Sequence, residues 1–122
     1  MKVFATLPQA DLIEIPEATH RIEADAYNGV VALENRHDPF LPLAVAAVHS
    51  KHLELATGVA IAFPRSPMIA ANIAWDLQQA SSGRFELGLG SQVRGHNERR
   101  FSVKWQPPAP RMMEYVEAVR AI

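Results

Sequence analysis

The chain has 122 residues, 48% of them hydrophobic and 20% charged, and its formal net charge is −1. This length and composition suit one globular domain with a buried core, and the small net charge gives no long-range attraction to nucleic acid or to an anionic membrane. The absence of cysteine excludes disulfide bonds, a thiol nucleophile and a cysteine metal site.

The first third of the sequence predicts two strands joined by a helix. Residues 2–7 form the first predicted strand, and Pro16 suits the first turn of a helix, where the missing N–H of proline costs little. The dipeptide Asn28-Gly29 predicts a left-handed end to that helix. Residues 30–33 are a continuous apolar run, which is typical of a strand buried on both faces.

The same signals continue along the rest of the chain. Asp38-Pro39 and Ser66-Pro67 each place a capping side chain before a proline at the first helical position. Apolar runs at 53–62 and 85–89 are the third and fourth predicted strands. The remaining predicted elements are a helix end at Ser82-Gly83, a rigid connector at 107–110 and an amphipathic helix at 112–122.

The predicted order is strand–helix repeated four times, with strand starts about 25–30 residues apart, as parallel βαβ units require. The fold class is therefore α/β, and four such units correspond to the amino-terminal half of a (β/α)8 TIM barrel. A lone half barrel would expose its inner face and two edge strands. We therefore expect a homo-oligomer, or a missing barrel half as partner.

One domain is expected over residues 1–122, because no linker or change in composition divides the chain. The first residues, Met1–Phe4, begin a strand and lack the pattern of a signal peptide, and no apolar run approaches the roughly 20 residues that span a bilayer. We expect a cytoplasmic protein with neither nucleic acid nor membrane as partner. The five histidines have no metal-ligand spacing, so no metal is predicted.

Four segments carry a resemblance to a known family when they are taken in order: 27–31, 34–44, 55–67 and 76–101. With these segments the chain resembles the bacterial-luciferase-like family over essentially all 122 residues, and specifically its branch of oxidoreductases that use the deazaflavin coenzyme F-420. The match is to the amino-terminal half of the family's barrel. The resemblance implies a cofactor site at the carboxyl ends of the strands.

Gly58-Val59 lies inside the third predicted strand, an unusual place for glycine. The resemblance implies a bulge here with a non-proline cis peptide that backs the central ring of the flavin or deazaflavin. Such a bond costs roughly 3 kcal/mol and persists only where packing enforces it. The alternative is that Gly58 only allows close approach of a helix to a buried strand.

The segment Glu34-Asn35-Arg36-His37 follows the second predicted strand. The resemblance implies a polar or His-bearing loop against cofactor and substrate, with Asn35 as a cofactor contact and His37 as a candidate catalytic residue. Histidine is the side chain most often used for acid–base catalysis near neutral pH. The alternative is that Glu34 and Asn35 are solvated loop residues and that Asp38 is only a helix cap.

The loop after the fourth predicted strand carries the other candidate positions. Gly90 lets backbone approach a ligand closely. The resemblance implies that His96 contacts the cofactor ring system and is a catalytic candidate, with Ser91 and Gln92 nearby as cofactor contacts. Some deazaflavin enzymes have a carboxylate proton donor in this loop. That position is Val93 here, so the donor is absent.

The resemblance implies hydride transfer between coenzyme F-420 and a small organic substrate. Flavin and deazaflavin members share the same segments, so an FMN-dependent monooxygenase that uses oxygen is an alternative. A third hypothesis is a truncated, catalytically incomplete half barrel that associates structurally, because the family's phosphate-binding loops lie mostly in the carboxyl half.

Overall fold

A computed structural model describes all 122 residues of the chain. Six short strands and five α-helices follow one another, with a 3-10 turn at Leu12–Glu14 before the first helix. In chain order they are β1 (Phe4–Thr6), α1 (Ile15–Ala24), β2 (Gly29–Ala32), α2 (Phe40–His49), β3 (Glu54–Thr57), β4 (Ala60–Ile61), α3 (Pro67–Ala80), β5 (Phe85–Glu86), β6 (Leu89–Gly90), α4 (Arg94–Phe101) and α5 (Pro108–Ala121).

The main sheet has the order β1-β2-β3-β5, and every neighbouring pair is parallel. A second, two-stranded parallel sheet pairs β4 with β6. This arrangement confirms the predicted α/β fold of four parallel strands alternating with helices. None of the helices combines the length and the apolar character needed to cross a bilayer.

The third and fourth predicted strands are each divided in two, and Thr57 explains the division. Its hydroxyl donates to the Gly88 carbonyl at 2.7 Å and accepts from the Gly88 N–H at 2.8 Å. The Thr57 hydroxyl thus takes the place of the backbone groups that would otherwise pair with Gly88 and continue the parallel ladder. A Cβ at position 88 would lie 2.2 Å from the Thr57 carbonyl oxygen, so only glycine permits this approach.

The core lies between one face of the main sheet and helices α1, α2 and α3. Val30 and Leu55 point to this face and are fully buried, whereas Val31 and Ala56 alternate to the opposite face and are half-buried. The opposite face is therefore the inner wall in the barrel arrangement. A second cluster joins α3 to α5 through residues that include Phe63, Ala70 and Tyr115.

Two predicted helix starts are confirmed by their hydrogen bonds. The Asp38 carboxylate accepts from the N–H groups of Phe40 and Leu41 at 2.8 and 3.2 Å, and the Ser66 hydroxyl accepts from the Ile69 N–H at 3.2 Å. Both side chains satisfy amide groups that have no partner within the helix.

The predicted left-handed end at Asn28-Gly29 is wrong, because the left-handed residue is Ala26, with φ of 62°. Asn28 instead accepts from the Val3 N–H at 2.8 Å, which ties the turn to the first strand. Gly29 belongs to β2, where an added Cβ would lie 2.4 Å from the Phe4 ring. Contacts across the sheet therefore override the local preference of this dipeptide.

Two predicted loop segments are helical. Residues 108–110 of the predicted connector form the first turn of α5, since prolines at the start of a helix lose no hydrogen bond. The segment after β6 enters α4 at Arg94, so His96 lies on a helix and not in an extended loop.

Candidate functional site

A cleft of about 230 Å³ opens at the carboxyl ends of the strands. It joins five of the predicted cofactor positions, Asn35, Gly58, Val59, Gly90 and Gln92. Three further residues complete its lining: Leu33, Glu34 and Ile61. Residues from the segments after β2, β3 and β6 thus meet at one place, where open α/β sheets and barrels hold ligands.

The floor of the cleft is made by two glycines and the side chain of Val59. A Cβ on Gly90 would lie 2.5 Å from a methyl group of Val59, and a Cβ on Gly58 would lie 3.2 Å from the Cβ of Val31. Val59 itself is 48% exposed and presents an apolar surface to the cleft. Glycine at positions 58 and 90 therefore lets Val31 and Val59 lie directly against the backbone.

The expected cis peptide between Gly58 and Val59 is not found, because every peptide bond in the chain is trans. The trans form is lower in energy by roughly 3 kcal/mol. Val59 is half exposed, so close packing does not enforce the costlier form. The break between β3 and β4 still occurs at these two residues, at the predicted position of the bulge.

A partly buried ion-pair cluster of Glu34, Arg65 and Asp38 supports one wall of the cleft. The Glu34 carboxylate accepts from Arg65 at 2.8 and 3.0 Å and from the Ile61 N–H at 2.6 Å. Its side chain is only 5% exposed. Arg65 also donates to Asp38 at 2.8 Å and to the Ile61 carbonyl at 2.8 Å. The loop after β2 is thereby joined to β4.

The charges in this cluster compensate one another. Burial lowers the pKa of the Arg65 guanidinium, but hydrogen bonds to Glu34 and Asp38 outweigh burial and the net shift of the pKa is upward. The guanidinium carbon also lies 5.2 Å from the centre of the Phe40 ring. Arg65 is therefore held as a permanent cation, and the Glu34 carboxylate is occupied as an acceptor.

The turn between β6 and α4 forms the other wall. Gln92 lines the cleft and has a left-handed backbone, with φ of 55°. The Ser91 side chain is outside the lining, but the Ser91 carbonyl accepts from the buried Asn97 amide at 2.9 Å. Arg100 from α4 donates to the Asn35 carbonyl at 2.5 Å, and this hydrogen bond joins α4 to the segment after β2.

The two predicted catalytic histidines are not among the cleft's lining residues. His37 is exposed and lines a neighbouring pocket of about 170 Å³, which shares Leu33 with the cleft. His96 is exposed on α4. No three side chains of the His, Asp and Glu types converge where they could bind one metal ion.

Sequence reasoning missed the importance of Glu34 and Arg65. The sequence around Glu34 is compatible with a solvated loop residue, yet the Glu34 side chain is only 5% exposed. The available signal is that Glu34 and Arg65 carry opposite charges and follow the second and third predicted strands, since the carboxyl ends of parallel strands meet at one edge of a sheet. The cleft lining combines the partly exposed apolar side chain of Val59 with the side-chain amides of Asn35 and Gln92, which are groups able to form hydrogen bonds.

Comparison with known proteins gives a consistent family. The sequence model of the luciferase-like monooxygenases matches residues 3–122. An uncharacterized protein of Mycobacterium tuberculosis is 48% identical over all 122 residues, which cover 36% of that protein. A 5,10-methylenetetrahydromethanopterin reductase of Archaeoglobus fulgidus is 27% identical over 96 residues, or 79% of this chain and 29% of the reductase. The chain thus spans about a third of the length of these relatives.

Solved structures share the fold. Monooxygenase RslO1 from Streptomyces bottropensis superposes with a TM-score of 0.85 at 22% identity, over 98% of this chain and 42% of that one. The coenzyme F420 dependent tetrahydromethanopterin reductase from Methanopyrus kandleri gives 0.81 at 22% identity, over 97% and 39%. The FMN complex of the oxygenating constituent of 3,6-diketocamphane monooxygenase from Pseudomonas putida gives 0.83 at 14% identity, over 98% and 38%.

Proposed function

The chain belongs to the luciferase-like monooxygenase family, and from that premise we propose that it forms the amino-terminal, ring-binding half of an oxidoreductase. Its cleft would hold the ring system of coenzyme F-420, and the reaction would be hydride transfer between this deazaflavin and a small organic substrate. The cofactor supplies the redox chemistry when it is bound, and the chain would bind the ring and orient it towards the substrate.

The observation that carries the proposal is the meeting of Gly58, Val59 and Gly90 with the amides of Asn35 and Gln92 in one cleft. Gly90 lets the Val59 side chain lie directly against the backbone, since a Cβ at position 90 would lie 2.5 Å from a Val59 methyl group. The exposed part of Val59 is the surface on which a flat ring would lie. Ligand pockets usually enclose roughly 300–1,000 Å³, so a cleft of about 230 Å³ suits one wall of a ring site. The rest of the site would come from the barrel half that the relatives have in addition.

Coenzyme F-420 is preferred over FMN because the relatives support it in two ways. The reductase of Methanopyrus kandleri is described as F420-dependent, and an F420-dependent secondary alcohol dehydrogenase in complex with an F420-acetone adduct shares the fold with a TM-score of 0.70. FMN stays the alternative, since the camphane monooxygenase of the same fold contains it.

His37 is the better candidate for acid–base work, because its pocket adjoins the cleft across Leu33. Glu34 is a poor proton donor, since its carboxylate already accepts from Arg65 and from the Ile61 N–H. His96 is exposed on α4 and does not line the cleft, so it is less well placed to contact a bound ring. We therefore assign His37 the catalytic role ahead of His96.

Titration of the chain with coenzyme F-420 and with FMN tests the proposal. Replacement of Gly90 by alanine would direct a methyl group against Val59, and we expect it to weaken binding at least tenfold, about 1.4 kcal/mol. Gly95→Ala is the matched control, because a Cβ at position 95 meets nothing within 4 Å. Absence of binding of either cofactor, or equal affinity in both variants, would contradict the proposed site.

We also propose that the chain associates, either with a second copy or with a carboxyl-half partner. The main sheet ends in the edge strands β1 and β5, and Val31 and Ala56 on its inner face are only half-buried. Light scattering at micromolar concentration should give a mass above 13.5 kDa. A monodisperse monomer would count against association, and turnover by the isolated chain would count against the catalytically incomplete form.

A further inference from the structure

The turn at residues 91–93 contains a backbone conformation that side chains disfavour. Gln92 has φ of 55°, in the left-handed region that L-residues other than Gly, Asn and Asp rarely occupy. The same residue lines the cleft. Strained residues in proteins concentrate where their conformation serves a site, provided that the surroundings hold them in place.

Asn97 is the group that holds this turn. It is fully buried, and its amide nitrogen donates to the carbonyls of Ser91 and Val93 at 2.9 and 3.1 Å. These carbonyls flank Gln92 on both sides. The orientation of the Asn97 amide follows from these bonds, because a rotated amide would set its oxygen against two carbonyl oxygens.

The orientation of Asn97 that binds the turn leaves its amide oxygen in an unfavourable environment. The amide oxygen of Asn97 is buried and has no hydrogen-bond partner in the chain. A buried acceptor without a partner opposes folding. The chain therefore carries two unfavourable features at one turn, a left-handed glutamine and an unpaired oxygen, and the glutamine lines the cleft.

The side chain of Gln92 is directed by the same turn. Its amide oxygen accepts from the Val93 N–H at 2.8 Å, so the oxygen is occupied. The amide nitrogen of Gln92 makes no hydrogen bond within the chain, and Gln92 borders the cleft. What Gln92 offers a ligand is therefore a donor.

We propose that Asn97 is a positioning residue that keeps Gln92 left-handed, so that the Gln92 amide nitrogen donates to a carbonyl oxygen of a ligand in the cleft. The ligand part rests on the proposed function, because flavin and deazaflavin rings carry such carbonyl oxygens. The positioning part concerns the chain alone and is tested without a ligand.

Thermal unfolding tests the positioning. Gln92→Gly and Gln92→Ala both remove the side-chain amide and differ only in the Cβ, so their comparison isolates the left-handed strain. The glycine variant should unfold roughly 2–5 °C above the alanine variant. In an Asn97→Leu background the difference should fall to half or less, because the released turn relaxes. An unchanged difference, or none in either background, overturns the positioning role.

A second measurement covers the case in which Asn97→Leu does not fold. It uses the unsubstituted chain, in which the side-chain amide protons of Asn97 should exchange slowly with solvent, as followed by NMR. Fast exchange would show that the two hydrogen bonds do not persist and would overturn the proposal.

Cofactor titration tests the ligand part. Both Gln92 variants should bind coenzyme F-420 or FMN roughly threefold to tenfold more weakly, the effect of one lost hydrogen bond. Asn97→Leu should weaken binding to a similar extent, and Gln92→Ala added to it should weaken binding no further. Equal affinity in the Gln92 variants and the unsubstituted chain overturns the donor role and leaves the proposed function intact. Binding of neither cofactor by the unsubstituted chain overturns the proposed function, while the thermal comparison still decides the positioning.

Discussion

Replacement of Glu34 by glutamine is the sharpest test of the ion-pair cluster at the cleft wall. The carboxylate accepts three hydrogen bonds, two from Arg65 and one from the Ile61 N–H. The side chains of Glu34 and Arg65 are 5% and 16% exposed, so solvent screens this pair far less than a surface pair.

The size of the change in unfolding free energy follows from the hydrogen bonds that the amide in Glu34→Gln retains. Its oxygen can still accept from the Ile61 N–H and from one nitrogen of Arg65, but its NH₂ group faces the second nitrogen and that bond is lost. Bonds to a charged group contribute about 1.5–3 kcal/mol each and neutral bonds about 0.5–1.5 kcal/mol. Breaking a buried pair altogether costs roughly 3–5 kcal/mol, but Asp38 continues to pair with Arg65. We therefore expect the free energy of unfolding to fall by about 2–3 kcal/mol.

Urea unfolding followed by far-ultraviolet circular dichroism measures the change. Glu17→Gln is the matched control, since Glu17 pairs with Arg21 on the exposed face of α1 with side chains 83% and 67% exposed. Such surface pairs contribute little, so the control should unfold at the midpoint of the unsubstituted chain. If Glu34→Gln unfolds at that midpoint as well, the cluster does not stabilise the cleft wall.

Two other predictions concern the opposite end of the sheet and the first strand pair. Burial raises the pKa of Glu23, but hydrogen bonds from the N–H groups of His52 and Lys51 outweigh burial, so its pKa lies below the ordinary 4.5. A carboxylate whose pKa is lower in the folded chain stabilises the fold at pH values above its unfolded pKa, and this stabilisation is lost as the pH falls through its folded pKa. Glu23→Gln should therefore lower the urea midpoint near pH 7 and not near pH 2. An equal effect at both pH values would refute this role of Glu23. Gly29→Ala should reduce the free energy of unfolding by about 1–3 kcal/mol or more through overpacking, because the added Cβ would lie 2.4 Å from the Phe4 ring and 2.5 Å from the Glu54 carbonyl oxygen. Thermal unfolding measures the change, and an unfolding temperature unchanged within error would show that the strands can separate without cost.

The helix starts show which features are encoded locally. Asp38 and Ser66 cap their helices because the capped amides lie within three residues of each side chain. The amphipathic pattern that predicted the last helix likewise depends on neighbours three and four positions apart. Parallel pairing also follows from sequence, since strand–helix alternation permits little else.

The breaks in the strands show what local pattern misses. Residues 53–62 are apolar enough to read as one strand, yet the hydroxyl of Thr57 binds Gly88, 31 residues away. Similarly, Glu34 carries no sign in its neighbourhood that Arg65 will neutralise it. The left-handed residue near the end of α1 is Ala26, because Asn28 and Gly29 are engaged with the first strand.

By itself the sequence determined the helix caps at Asp38 and Ser66 and the alternation of parallel strands with helices, because short-range spacing controls both. Only the tertiary structure decided that Asn35, Gly58, Val59, Gly90 and Gln92 share a cleft while His37 lies next to it and His96 lies outside. The physical reason is that each of these placements depends on contacts between segments far apart in the chain, whose energies no local pattern records.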